Sequence, residues 1–152
     1  MDQSYQPQSA ELVDSRQAAT GPLYSPFQVG LAAFLGGPFA SCWVLAANYA
    51  ALGKLTARRN ALLWGIGSTA VLVAVSWFLP VKFPRAVIPI AYTVTLAQIA
   101  NTYQGEAFDA HLAAGGTRRS SWRVVGIALT SLLVLLALVV GIALLLPDSL
   151  LD

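Results

Sequence analysis

The amino-acid sequence predicts an all-α membrane protein in which four transmembrane helices form a bundle. Of its 152 residues, 57% are hydrophobic and only 11% are charged, whereas soluble domains carry about 25% charged residues. All nine basic and seven acidic side chains fall outside four long apolar stretches. A charge at the bilayer centre costs at least about 2.5 kcal/mol. This segregation therefore indicates that the stretches lie in hydrocarbon.

The first predicted span covers residues 27–52, enough for a hydrocarbon core of about 30 Å. It follows a polar segment, residues 1–26, that has little to bury and is predicted to be a flexible tail. Gly36-Gly37-Pro38 lies in its middle, where proline removes an N–H and predicts a kink. Gly37 also belongs to a four-residue repeat of small residues, the spacing that favours close helix packing.

The second and fourth spans are predicted at residues 61–79 and 124–146. Gly65 lies on a small-residue face of the second span. The fourth span carries no charge over about 34 Å of helix, and Ala137 and Gly141 form part of a small-residue stripe along it. Pro147 closes the transmembrane domain, residues 27–147, and residues 148–152 form a short C-terminal tail.

The third span is predicted at residues 86–103, with a re-entrant segment as the competing interpretation. Thr95 and Gln98 share one helical face, with Asn101 beside them, so that face is expected inside the bundle. The following residues 106–114 predict a short surface helix in the headgroup layer, ended by Gly115-Gly116.

With four spans, the first and third loops share one side of the membrane and carry six of the nine Lys and Arg residues. The positive-inside rule then places both termini outside the cytoplasm, in a multi-pass protein of the inner (plasma) membrane. Arg118, Arg119 and Arg123 are predicted to contact anionic lipid headgroups. The net charge of +2 is too small and dispersed for a nucleic-acid partner.

Candidate catalytic or metal-binding residues are confined to Glu106, Asp109 and His111. Asp109 and His111 are two positions apart and point to different sides of a helix, which disfavours a shared metal ion. The single cysteine, Cys42, and the serines of the spans have no general base within the spans to activate them. The sequence therefore predicts no catalytic residue, metal or cofactor, and a protein that is not an enzyme.

Several short motifs resemble those of small, uncharacterised polytopic proteins of bacterial inner membranes. The likeness covers most of residues 24–146. Its motifs are Tyr24-Ser25-Pro26, Phe34-Leu35-Gly36-Gly37-Pro38, Asn48-Tyr49, Ala51-Leu52-Gly53 and the segment from Gly115-Gly116 to Ser121-Trp122-Arg123. The resemblance implies a bacterial origin and brings no activity, ligand or site residue with it.

Two functional hypotheses follow from these patterns. The favoured one is a non-enzymatic membrane protein that acts by helix–helix contact, as an accessory subunit, a scaffold or a binding partner of another membrane protein or of itself. Its expected packing residues are Gly37, Gly65, Ala137 and Gly141. The alternative is a small uncoupled transporter or channel. Its expected polar lining is Asn48, Thr95, Gln98 and Asn101.

Overall fold

The computed structural model describes residues 19–80, 82–84 and 86–145, and these residues are helical apart from short connections and one isolated bridge between Leu23 and Arg118. Residues 1–18 of the predicted tail and the C-terminal tail, 148–152, lie outside the described residues. The helices are α1 (Pro26–Ala51), α2 (Leu55–Phe78), α3 (Val87–Ala100), α4 (Glu106–Ala113) and α5 (Ser121–Leu145), with a π-helical turn (Asn101–Gly105) between α3 and α4.

The prediction of an all-helical protein is confirmed for the described residues. Among the described residues, three helical stretches are long and apolar enough to cross a bilayer: Pro26–Ala51, Leu55–Ser76 and Ser121–Gly141. The first of these stretches, Pro26–Ala51, is not one continuous helix.

Helix α1 reverses direction at Gly37, whose φ of 76° and ψ of −175° are not helical. The Asn48 side chain accepts a hydrogen bond from the Tyr24 N–H and donates one to the Tyr24 carbonyl, both at 2.8 Å. A straight helix would hold the two ends of α1 about 37 Å apart, so these bonds require the chain to fold back. We call α1 the hairpin, with a first arm (26–36), a second arm (38–51), an apex at Gly36-Gly37-Pro38 and a base where its ends meet.

The expected break at Gly36-Gly37-Pro38 is therefore present, and the predicted span of residues 27–52 folds back on itself instead of forming one continuous helix. The arms are about 16 and 21 Å long, both shorter than a hydrocarbon core of about 30 Å. The positive φ of Gly37 is inexpensive only for glycine, and Pro38 begins the second arm without needing an N–H partner. Ala32 and Ala40 share one core cluster, so small side chains lie where the arms approach each other.

Residues 19–25 pack against the base of the hairpin, which moves the boundary of the predicted tail. The Thr20 N–H donates to the Ala51 carbonyl at 2.9 Å, and the Leu23 carbonyl accepts from the Arg119 N–H at 2.8 Å. The Leu23 side chain is only 1% exposed. Tyr24 is also buried, so these two side chains and the hydrogen bonds anchor the segment.

The hairpin lies at the centre and the other helices surround it. The Cα atoms of α2, α3 and α5 come within 8 Å of the hairpin, but no two of these helices come that close to each other in the described residues. Within the apolar window of α1, 67% of the residues are buried, against 6% in α2 and 17% in α5. The hairpin therefore supplies most of the core, while α2 and α5 present most of their surface outward.

Helices α3 and α4 form one continuous helical segment. The backbone remains in the right-handed helical region at Ala100, Asn101, Gly105 and Glu106, on both sides of the π turn. The predicted third span of 86–103 and the predicted separate surface helix are therefore joined. Phe108 buries its side chain in a second core cluster with Leu23 and Leu52 at the base of the hairpin, which holds α4 against the protein.

Candidate functional site

Buried amide side chains link three segments at the base of the hairpin. Besides its two bonds with Tyr24, the Asn48 amide donates to the Gln104 side-chain oxygen at 2.8 Å. The Gln104 amide in turn donates to the Leu45 carbonyl at 3.2 Å. Asn48 and Gln104 are 2% and 3% exposed. Buried amides are stable only when partnered, and here they fix the second arm to residue 24 and to the π turn.

A second amide holds the first arm to the start of α5. Gln28 and Ser25 form a reciprocal capping box: the Gln28 N–H donates to the Ser25 hydroxyl at 3.3 Å, and the Ser25 N–H donates to the Gln28 side-chain oxygen at 2.9 Å. The Gln28 amide also donates to the Arg119 carbonyl at 2.8 Å and the Ser121 hydroxyl at 3.0 Å. The Ser-x-x-Gln spacing, with Pro26 at the first helical position, is a sequence pattern that predicts the N-terminus of a helix.

The four predicted lining residues are not brought together. Asn48 lies in the amide network at the base of the hairpin, whereas Thr95, Gln98 and Asn101 are exposed on the outer surface of the α3 segment. The Thr95 hydroxyl donates to the Ala91 carbonyl of its own helix at 2.8 Å. The side chains of Gln98 and Asn101 form no hydrogen bond within the described part of the chain. A single chain therefore has no pathway lined by this set.

The four predicted packing residues are likewise not brought together and lie in different environments. An added Cβ at Gly65 would lie 2.7 Å from the Cys42 Cβ, so Gly65 lies at a close contact between α2 and the second arm. Gly37 has open space around it and is required for its positive φ. An added Cβ at Gly141 would meet nothing within 4 Å, and Ala137 is exposed. Both therefore lie away from the contacts within this chain.

A close contact between helices lies at Gly36, which the sequence analysis considered only as part of the kink. An added Cβ there would lie 2.6 Å from the Ala128 Cα and 2.7 Å from the Ala40 Cβ. The neighbouring hydroxyl groups of Ser41 and Ser131 are buried and have no hydrogen-bond partner among the described residues. Ser41 cannot use the usual carbonyl four positions earlier, because Gly37 is not helical.

The three predicted headgroup-contacting arginines occupy different environments. Arg118 and Arg123 are exposed, but Arg119 is half-buried. The Arg119 guanidinium lies 5.2 Å from the centre of the Tyr24 ring, a cation–π arrangement. Arg119 also lines, together with Arg58, a groove between the second arm and α2 with a volume of about 630 Å³. No local sequence pattern links Arg58 with Arg119, since 61 positions separate them.

The candidate cluster of Glu106, Asp109 and His111 does not form a site. Both acidic side chains are exposed, and a His111 ring nitrogen lies 3.3 Å from the Thr117 carbonyl oxygen. The imidazole also occupies the space that a side chain at Gly116 would need, so His111 packs on the turn that ends α4. Within the described ranges, no three His, Cys, Asp or Glu side chains are grouped so that they could hold a metal ion.

Comparisons of this chain with known protein families, with curated proteins and with solved structures found no match.

Proposed function

We propose that the chain is a non-enzymatic, multi-pass inner-membrane protein that acts by helix–helix contact through the outer face of α3. The observation that supports this role is the outward position of Gln98 and Asn101. Their amides make no hydrogen bond within the described part of the chain, and in lipid each amide would lack partners. Contact with another membrane helix would supply them, because amide side chains hydrogen-bond well across helices.

A second copy of the chain is the simplest partner. An amide carries both donors and acceptors, so Gln98 and Asn101 are complementary to the same residues of another copy. Two copies in one membrane have the same orientation, and a two-fold axis along the membrane normal would bring the two α3 faces together. Such a contact would use none of the residues that hold the hairpin.

The proposed topology follows from the hairpin. Its two ends meet at one side, so the N-terminal segment, the α1–α2 connection and the α4–α5 connection share that side. This side carries seven of the nine Lys and Arg residues, and the α2–α3 connection carries the other two, Lys82 and Arg85. The positive-inside rule then places the N-terminus in the cytoplasm. Three crossings, by α2, the α3–α4 segment and α5, place the C-terminus on the opposite side.

The contact is tested with two differently tagged copies expressed together and purified through one tag in mild detergent. We expect the wild-type copies to co-purify, and the double variant Gln98→Leu, Asn101→Leu to reduce recovery of the second copy at least about fivefold, at about 0.6–2 kcal/mol per interhelical hydrogen bond. Energy transfer between labelled copies in liposomes gives the same measurement in a bilayer.

The matched control is Ile99→Ala, which alters an exposed apolar residue on a different face of the same helix. We expect it to co-purify as the wild type does. If the amide variant self-associates normally, and binds every membrane protein that co-elutes with the wild type, the proposed contact face is wrong.

The topology is tested by labelling single cysteines in intact cells. Cys42 is the only cysteine, so Cys42→Ala provides a cysteine-free background for Ser15→Cys or Ser149→Cys. A membrane-impermeant maleimide should label only the Ser149→Cys protein before permeabilisation and both proteins afterwards. Labelling of both in intact cells would instead support four crossings with both termini outside.

A further inference from the structure

The groove between the second arm and α2 is amphipathic along its length. Its inner part is apolar, with Phe39, Trp43 and Leu62 in its lining. At the base of the hairpin the lining contains Arg58 and Arg119. Its volume of about 630 Å³ lies within the range of about 300–1,000 Å³ that is typical of small-molecule sites. The apolar and charged ends of the groove therefore match the two ends of an amphiphilic ligand.

Small residues on the second arm explain why the groove exists. Ala46, Ala47 and Ala50 line it, and alanine side chains leave space between two helices that larger residues would fill. Phe39 and Trp43 close the inner end, with their rings in an edge-to-face pair at 5.7 Å. From Phe39 to Ala50 the arm extends about 17 Å, close to half of the roughly 30 Å hydrocarbon core. The groove thus has the length of one leaflet.

The polar end of the groove has a positive charge that the lining does not balance. Among the described residues, Arg58 and Arg119 are the charged members of the lining, and none is acidic. The Arg119 Nε atom is buried and forms no hydrogen bond in the described part of the chain. The Tyr24 ring beneath the guanidinium holds it in place. Two guanidinium groups without a carboxylate favour a phosphate, which accepts charge-assisted hydrogen bonds from arginine.

We propose that this groove binds one anionic phospholipid of the cytoplasmic leaflet. Its phosphate would lie between Arg58 and Arg119, and one acyl chain would lie along the second arm towards Trp43 and Phe39. This inference rests on the proposed membrane placement, because the polar end must face the cytoplasmic headgroups. It is independent of the contact face on α3, since the two surfaces share no residue.

The test is native mass spectrometry of the purified full chain in mild detergent, titrated with phosphatidylglycerol or with phosphatidylcholine. We expect one phosphatidylglycerol to bind at least tenfold more tightly than phosphatidylcholine. Arg58→Gln should weaken phosphatidylglycerol binding about tenfold, the effect of losing one charged hydrogen bond. Arg59→Gln is the matched control, because it removes the same charge from the adjacent exposed position outside the groove, and it should bind as the wild type does.

A second variant tests the acyl end without altering charge. Ala50→Leu fills the groove and should weaken both lipids by the same factor. The inference is wrong if Arg58→Gln binds phosphatidylglycerol as the wild type does, or if the two lipids bind equally. It is also wrong if millimolar inorganic phosphate displaces the lipid, since the groove would then recognise only the anion. Because the titration counts lipids on single chains, a failure of self-association leaves its outcome unchanged, and the cysteine labelling tests membrane placement separately.

Discussion

The hairpin and α5 are both long apolar stretches, yet they have opposite positions in the molecule. Two thirds of the apolar window of α1 (67%) is buried inside the protein, against 17% of that of α5. The hairpin is rich in Ala and Gly and contains two buried amides, Gln28 and Asn48. Helix α5 beyond Ala128 consists mainly of Leu and Val side chains that are exposed.

This difference shows that hydropathy identifies helices apolar enough to span a membrane but does not distinguish an outward-facing helix from one buried in the protein. Small side chains allow backbones to approach closely, and amides require partners that lipid cannot supply. A segment that combines small side chains with amides is therefore expected to lie in the interior of the protein. A segment of large aliphatic side chains without amides is suited to contact lipid.

The largest expected effect is that of Gly36→Leu at the apex. The new side chain would collide with the Ala128 backbone and with the Ala40 Cβ. Overpacking against backbone that cannot move should destabilise the fold by about 3 kcal/mol or more, measured as the melting temperature in detergent. The same substitution at Gly126 of α5, where an added Cβ meets nothing within 4 Å, should change stability little. Equal effects would contradict the central position of the hairpin.

A smaller effect is expected from Asn48→Leu at the base of the hairpin. This variant leaves the Tyr24 N–H, the Tyr24 carbonyl and the Gln104 side chain without their partner. Unpartnered buried groups cost about 1–3 kcal/mol each, although local rearrangement will recover part of this, so we expect a net loss of about 2–3 kcal/mol. Gln98→Leu removes an amide that has no partner within the described chain, and the stability of a single chain should be unchanged or higher. Equal losses of stability in Asn48→Leu and Gln98→Leu would contradict the distinction between buried and exposed amides.

The smallest effect is that of Gly37→Ala, which tests the reversal itself. There is space for a methyl group at Gly37, but its φ of +76° and ψ of −175° lie in a region used essentially by glycine alone, where another residue costs about 1–3 kcal/mol. Gly67→Ala in α2 also meets open space, but in a helical backbone it should be neutral or should stabilise by up to about 1 kcal/mol. A stabilising Gly37→Ala variant would mean that α1 is straight in the membrane.

The sequence predicted the elements whose signal is local. Helix α5 was predicted because an uncharged apolar stretch about 34 Å long is typical of a transmembrane helix. Helix α2 differs from its prediction mainly by starting earlier, at Leu55. The break at Gly36-Gly37-Pro38 was also predicted. Its angle was not, because the reversal depends on bonds between Asn48 and Tyr24, 24 positions apart, and no local pattern encodes that distance.

The site residues were harder to predict for the same reason. Asn48 and Gln98 are amides in apolar stretches, and both were expected to line one pathway. The structure places Asn48 inside and Gln98 outside, because the inner surface of α3 is defined by its contacts with the hairpin rather than by polarity. Gln104 and Arg58 received no role from the sequence, since their partners lie 56 and 61 positions away. One local signal, the capping box of Ser25 and Gln28, was readable and would have fixed the start of α1.

The apex of the hairpin also constrains the order in which the protein is built. The last carbonyls of the first arm and the first N–H groups of the second arm lie at the apex and lack the partners of a continuous helix. Bare hydrocarbon would leave these groups unsatisfied at a cost of several kcal/mol each. The apex abuts Ala128 of α5, a helix that is synthesised after the hairpin. The hairpin is therefore expected to wait at the membrane surface and to reach its final depth only after α5 has been inserted.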